Sequence, residues 1–239
     1  MRLGRTAVAA LPAGIWPPVA VISGDNGTQR DWGQGRAMEK IADWLEPTMV
    51  GIFEIPGFAE RMGEIRGRVR PALLELAKRL SLEMEKKGVT VFPHVASHMR
   101  RRVNPPNETW LALGPEKRGY KAYGHLGLFV GRGGCSVRFV VKDEAVMPRE
   151  RLGRFLADDP GARKWFAREK DVRDFGAVHG SGDVGPVYSP DLREAGERLA
   201  RLKSASLDIG WPVGFETPIR DVVERMERLL PLYRAANGS

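Results

Sequence analysis

From Pro71 onward apolar residues return every three or four positions: Leu73, Leu74, Ala77, Leu80 and Met84 share one side of a helix over residues 71–87. Pro71 suits the first turn of that helix and Gly88 ends it. Residues 58–69 read as a helix before it, so the two form a broken pair. A short helix is expected at 39–45 and a short strand at 51–55. β-branched and aromatic runs predict strands at 89–92 and 110–113, separated by the rigid Asn104-Pro105-Pro106-Asn107 turn. Residues 125–130 and 136–142 flank Gly131-Arg132-Gly133-Gly134, which is hairpin chemistry. Helices follow at 148–157 and 162–170, then a Gly-rich stretch at 178–187 that ends in a strand. Ser189-Pro190-Asp191 reads as a helix start, with Ser189 as the cap, Pro190 in the first turn, and Leu192, Ala195, Leu199 and Leu202 on the buried face. A strand at 207–213 precedes a helix begun by Thr217-Pro218, whose apolar stripe runs from Ile219 through Val222, Val223, Met226, Leu229 and Leu230 to Tyr233. Helices and hairpins mix without βαβ alternation. The expected class is α+β, a single compact domain with a mixed or mainly antiparallel sheet and flanking helices.

Residues 1–48 carry no such period. Gly24-Asp25-Asn26-Gly27 and Gly33-Gln34-Gly35 are turn or linker chemistry, so this stretch reads as a flexible extension or a mis-assigned start, with Met38 and Met49 as alternative initiation points. The domain is then expected over 49–236. Pro12, Pro17 and Pro18 interrupt the one N-terminal stretch that resembles a signal peptide, and no run of 18 apolar residues could cross a bilayer. Cys135 is the lone cysteine, which excludes an internal disulfide framework and a thiolate metal cluster; it reads as a half-buried structural thiol on a strand. A cytoplasmic location, with no membrane partner, is the expectation.

Charge changes the picture more. The net charge is +8 and the isoelectric point about 9.9, which favours anionic partners. Residues 91–125 concentrate that excess: six Lys or Arg face two Glu, a local charge of +4, together with three of the four histidines. A core has no use for so many unpaired cations, so the segment is expected to line a surface that meets a negative ligand. Arg100, Arg101, Arg102, Lys117, Arg118 and Lys121 supply charge, Tyr120 can stack on a base, and His125 completes the anion-binding set. A solvated face is the plain alternative for the arginine triplet. His94 and His98, four apart, share a side in a helix or a strand and are the candidate acid and base. A zinc site would need a third ligand such as His125 or His179, and no HExxH pattern is present, so no metal or other cofactor is expected. Trp110 reads as core. Gly180-Ser181-Gly182-Asp183-Val184-Gly185 has the glycine spacing of a dinucleotide loop, but Pro186 stands where a helix should begin, so it reads as a loop.

The strings Pro93-His94-Val95-Ala96 with His98, Arg100 and Arg101, then Val103-Asn104-Pro105-Pro106 with Thr109-Trp110, then Lys117-Arg118-Gly119-Tyr120-Lys121 and His125 resemble the YktB-like family of bacterial proteins of unknown function. Weaker similarity runs from Gly57-Phe58 with Arg61-Met62 to Leu230-Pro231-Leu232-Tyr233. The resemblance implies a compact cytoplasmic α+β domain without a known cofactor, and it supplies no activity. Gly124 stands where that family's pattern would place a proline before His125. Three functions follow as expectations. The first is an anion-binding domain for nucleic acid or a phosphorylated molecule. The second is a metal-independent phosphodiesterase or nuclease using His94 or His98. The third is an adaptor for an acidic protein partner.

Overall fold

A computed structural model describes residues 38–99 and 101–238. It begins with two 3₁₀ turns, Ile41–Asp43 and Pro47–Glu54. The second replaces the strand expected at 51–55. Pro47 presets the first turn, and Met49, Ile52 and Phe53 then fall on one buried side, a spacing near three that a strand cannot use. Ile41 and Leu45 are wholly buried, and Ile41 and Ala42 donate their backbone N–H groups to Thr217 and Phe215. The packed body therefore takes in residues before Met49; residues 1–37 lie outside those described.

Helix α1 (Phe58–Glu64) passes through one π turn, Ile65–Val69, into α2 (Arg70–Lys86) without a break. The sequence reading placed a helix start at Pro71. Instead the proline, which cannot donate to the carbonyl four residues back, sits at the exit of the π turn that accommodates it.

The strands β1 (Phe92–Val95), β2 (Glu108–Gly114), β3 (His125–Gly131), β4 (Gly134–Val141), β5 (Arg173–Asp174) and β6 (Leu207–Val213) form an antiparallel sheet in the order β1-β2-β3-β4-β6-β5. The expected β3–β4 hairpin and the strand at 207–213 are present. β5 was missed because two residues give no period to read, and the Gly-rich stretch after it contributes a single bridge, Arg173 to Val187, in place of a strand. The remaining helices are α3 (Val146–Asp158), α4 (Pro160–Arg168), α5 (Leu192–Arg201), α6 (Ile219–Arg228) and α7 (Leu230–Asn237). Asp191, not Ser189, caps α5: its carboxylate accepts from the N–H groups of Arg193 and Glu194, and an acid held there also faces the positive helix end. Pro218 is the cap position of α6, and the stripe read as one helix breaks at Leu229 because Pro231 cannot continue the ladder.

Register separates the two sheet faces. Leu111, Leu128, Val137 and Trp211 are cross-strand partners and join the main core under the helices, as does buried Cys135. One residue on, Ala112, Gly127, Arg138 and Gly210 form the next row, which must point the other way. An apolar face is thus closed by helices, while the second face carries polar and aromatic groups.

Candidate functional site

The second face gathers the chemistry. His94 extends the row of Ala112, Gly127, Arg138 and Gly210. The flanking rows present Trp110, Phe129 and Ser136 on one side and His125, Val140 and Asp208 on the other. Small residues at Ala112 and Gly127 leave room for their large neighbours; a Cβ on Gly127 would meet the Phe129 ring at 2.8 Å.

Arg138 anchors this layer. It is 4% exposed, and its guanidinium lies between the rings of Phe129 and Phe175, at 4.2 and 3.9 Å from their centroids. It donates to Ser136 Oγ at 2.7 Å, to Glu108 Oε2 at 2.9 Å and to Asp208 Oδ2 at 3.5 Å. Two buried carboxylates around one buried cation leave a local deficit, and burial pushes the Asp208 carboxyl up to about 6 despite the opposing pull of Arg138. Asp208 Oδ1 has no hydrogen-bond partner. A guanidinium so enclosed and paired is scaffold for the face above it.

Aromatic and imidazole rings continue outward. Trp110, half-buried on this face and not in the main core, stacks on Phe129 at 5.4 Å, and its indole N–H donates to the Tyr120 hydroxyl at 3.1 Å. Because indole only donates, the Tyr120 oxygen accepts there and keeps its own proton for another acceptor. His94 lies 5.0 Å from the Tyr120 ring; its Nε2–H donates to the carbonyl of Glu116 at 3.0 Å, which leaves Nδ1 as a bare acceptor in the neutral ring. His98 meets the Trp110 ring edge-on at 5.4 Å, and its Nε2 is 2.9 Å from Thr109 Oγ1. β1 has ended by then: the His98 backbone has φ of 50°, the left-handed region, so strand alternation does not place its side chain. His125 is wholly buried, edge-on to Tyr120 at 5.0 Å, with Nδ1–H donating to Tyr123 O at 3.3 Å and Nε2 without a partner. Burial holds all four imidazoles below their ordinary range, His98 to about 4 and His125 to about 3, with His94 and His179 shifted the same way. Nearby cations push in the same direction: Arg101 and Lys121 on His98, Lys142 and Lys121 on His125, Lys142 and Arg101 on His179. His94, His98 and His125 thus stand at this one face, while His179, exposed on the loop after β5, feels Lys142, Arg138 and Arg101.

The predicted anion set divides. Arg101 and Arg102 are exposed on the β1–β2 connection, and Lys117, Arg118 and Lys121 are exposed on the β2–β3 connection. Tyr120 is half-buried among the rings, while His125 is enclosed beneath them and contacts no solvent. Arg100 lies outside the described residues. Sequence reasoning missed Lys142, whose ammonium is 5.6 Å from the Trp110 ring centroid, and treated His179 only as a spare metal ligand. It also missed the Arg138 cluster. An Arg inside an apolar strand, with a lone Glu on β2 and a lone Asp on β6 that share its sheet face, was the available signal.

Two loops that frame the face are tied together from below. Arg61, buried on α1, donates to the carbonyls of Ile55 and Pro106 and to Asn107 Oδ1, at 2.5, 3.2 and 2.9 Å. Asn107 in turn donates to Gly180 O at 2.8 Å. The Asn-Pro-Pro-Asn turn is structural, as its prolines suggested. Among the described residues no cluster of three or more His, Cys, Asp or Glu is placed to hold a metal ion, and no helix is long and apolar enough to cross a membrane.

Residues 48–232 match the family described as a domain of unknown function, DUF1054. The chain is 29% identical over 195 residues to the UPF0637 protein YsbB of Lactococcus lactis, covering 77% of this chain and 94% of that one. A UPF0637 protein of Listeria welshimeri is 30% identical over 194 residues, covering 77% and 92%, and one of Bacillus cytotoxicus 29% over 208 residues, covering 78% and 94%.

Proposed function

We propose that this chain, which belongs to the DUF1054 family of bacterial proteins, binds a negatively charged ligand on the second face of its sheet, a nucleic acid or a phosphorylated molecule. The observation that carries this reading is the convergence of His94, His98 and His125 with Trp110, Tyr120 and Lys142 on one face, with Arg101 and Lys121 close enough to act on His98. Cations next to half-exposed rings offer phosphate contacts and stacking surface together, and neutral imidazoles add hydrogen bonds without fixing their own charge. The low imidazole pKa values also favour a general base over a standing cation, so a hydrolytic role for His94 or His98 is tested alongside.

The test is a fluorescence-anisotropy screen of the full chain with EDTA present. The probes are single-stranded RNA, single-stranded DNA, duplex and a labelled nucleotide, at about 50 and about 200 mM salt, with probe integrity followed on gels. Salt-sensitive binding of an intact probe, weakened at least tenfold by Lys121→Ala with Lys142→Ala at an unchanged melting temperature, supports the reading. Metal-independent probe cleavage that His94→Ala or His98→Ala abolishes promotes the hydrolase. Absence of salt-sensitive binding to every probe contradicts both.

A further inference from the structure

Resting on the anion-binding reading, we infer that the ligand is a single-stranded nucleic acid laid along the strands, touching cations at both ends of the sheet. Topology separates the exposed cations into two groups. β1 runs into the connection of residues 96–107, and β2 begins there, so Arg101 and Arg102 stand at one end. β2 runs antiparallel to β1 and leaves at the opposite end, where Lys117 and Lys121 lie on its connection to β3. Lys142 follows directly on β4, whose last residues pair with the first residues of β3, and so belongs to that second end. Lys117, 5.8 Å from the Phe92 ring at the start of β1, confirms which end its loop occupies.

β2 is seven residues long. At about 3.4 Å per residue the loops that carry the two groups leave the sheet roughly 20 Å apart. From the second end Lys142 reaches back to the Trp110 ring while Lys121, like Arg101, acts on His98, so the cations form a track across the rings and not one cluster at one end. Between them lies Trp110, bonded to the hydroxyl of Tyr120, which reaches in from the second end; both rings are half-buried, and His94 Nδ1 adds an acceptor and the Tyr120 hydroxyl proton a donor. A single strand offers what this layout asks for: phosphates at intervals, and unpaired bases whose faces can stack and whose edges can bond. A duplex keeps its base faces hidden and cannot use the rings. The buried layer of Arg138, Phe129 and Phe175 backs the rings rigidly, so the stacking surface exists before the ligand arrives.

The deciding experiment measures affinities of the full chain for a labelled twelve-nucleotide single strand, a three-nucleotide strand, a mononucleotide and the matching duplex. The twelve-nucleotide strand is expected to bind at least a hundredfold tighter than the mononucleotide and at least tenfold tighter than the duplex. Arg101→Ala with Arg102→Ala, and separately Lys117→Ala with Lys121→Ala, are each expected to weaken the long strand at least tenfold. The short strand should lose affinity with only one of the two pairs. Trp110→Ala is expected to cost about ten- to a hundredfold, the range of one lost base stack, with Trp110→Phe restoring most of it. All of these charge changes are on exposed side chains, which keeps the test independent of folding. Equal affinity for mononucleotide and long strand, or duplex preferred over single strand, overturns this inference and leaves the anion-binding reading intact. No salt-dependent binding to any probe removes both.

Discussion

Arg138 carries the largest single-residue consequence. Its guanidinium is enclosed by two rings and shares two buried carboxylates, so removing one partner leaves an uncompensated charge in a dry layer. Arg138→Leu, which strands Glu108 and Asp208, is expected to lower stability by about 3–5 kcal/mol in urea unfolding. The histidines set the pH response. Their folded pKa values lie below the ordinary value, so the stability tied to their neutral forms is complete above about 6.5 and drains away as pH falls toward about 4 for His98 and about 3 for His125. Asp208 acts oppositely, since a carboxyl raised to about 6 favours the folded state only while protonated, and that gain is lost as pH rises through 6. The two large imidazole shifts, at His98 and His125, outweigh the one carboxyl, so the melting temperature is expected to drop between pH 7 and pH 5, and His125→Leu should flatten that slope even if it lowers the value at pH 7. An unchanged slope in His125→Leu would remove His125 from the account. At this scale the sequence was informative about residue type and poor on depth. His125 and Tyr120 lie close in sequence, yet one is enclosed and the other half-open, because His125 opens a strand buried on both faces and Tyr120, on the connection before it, lies against its ring from outside.

Elements were legible where a period ran long. The β3–β4 hairpin, β6 and α2 follow from alternation or helical spacing over seven or more residues. Short pieces were not: the 3₁₀ turn at Pro47–Glu54 looked like a strand because five apolar-rich residues fit either period. The crossing of α3 and α5 was equally hidden. Gly153 and Gly196 let the two helices touch backbone to backbone; a Cβ on Gly153 would lie 2.7 Å from Gly196 O and 2.9 Å from Ala200 N. Gly153→Ala therefore sets a propensity gain of about 1 kcal/mol against a forced separation of helices. The clash is expected to win, with a net loss of about 1–3 kcal/mol in thermal or urea melts. Stabilisation by Gly153→Ala would show that the crossing is looser than this packing. The Arg61–Asn107–Gly180 chain makes a second element-level link, since it fixes the two loops that frame the face. Arg61→Met is expected to raise amide exchange at Asn107 and in residues 179–183 while the sheet stays protected.

For the whole molecule, the division of labour between the sheet faces explains why so basic a chain folds. Helices close the apolar face, and the charge excess of residues 91–125 goes to loops at the two ends of the other. The exposure of Arg101, Arg102, Lys117, Arg118 and Lys121 was readable from charge alone, because no core could have absorbed them. The contributions of Lys142, His179 and Arg138 were not, since they come from residues distant in sequence that only the register brings together. The most direct measurement of the central claim uses the four histidines as reporters. Imidazole NMR signals of the full chain would be followed during titration with a single-stranded oligonucleotide. The account predicts saturable shifts at His94, His98 and His179, smaller ones at enclosed His125, and their loss in Lys121→Ala with Lys142→Ala. Imidazole signals that stay fixed while the oligonucleotide saturates the protein, or an oligonucleotide that does not bind, would contradict it.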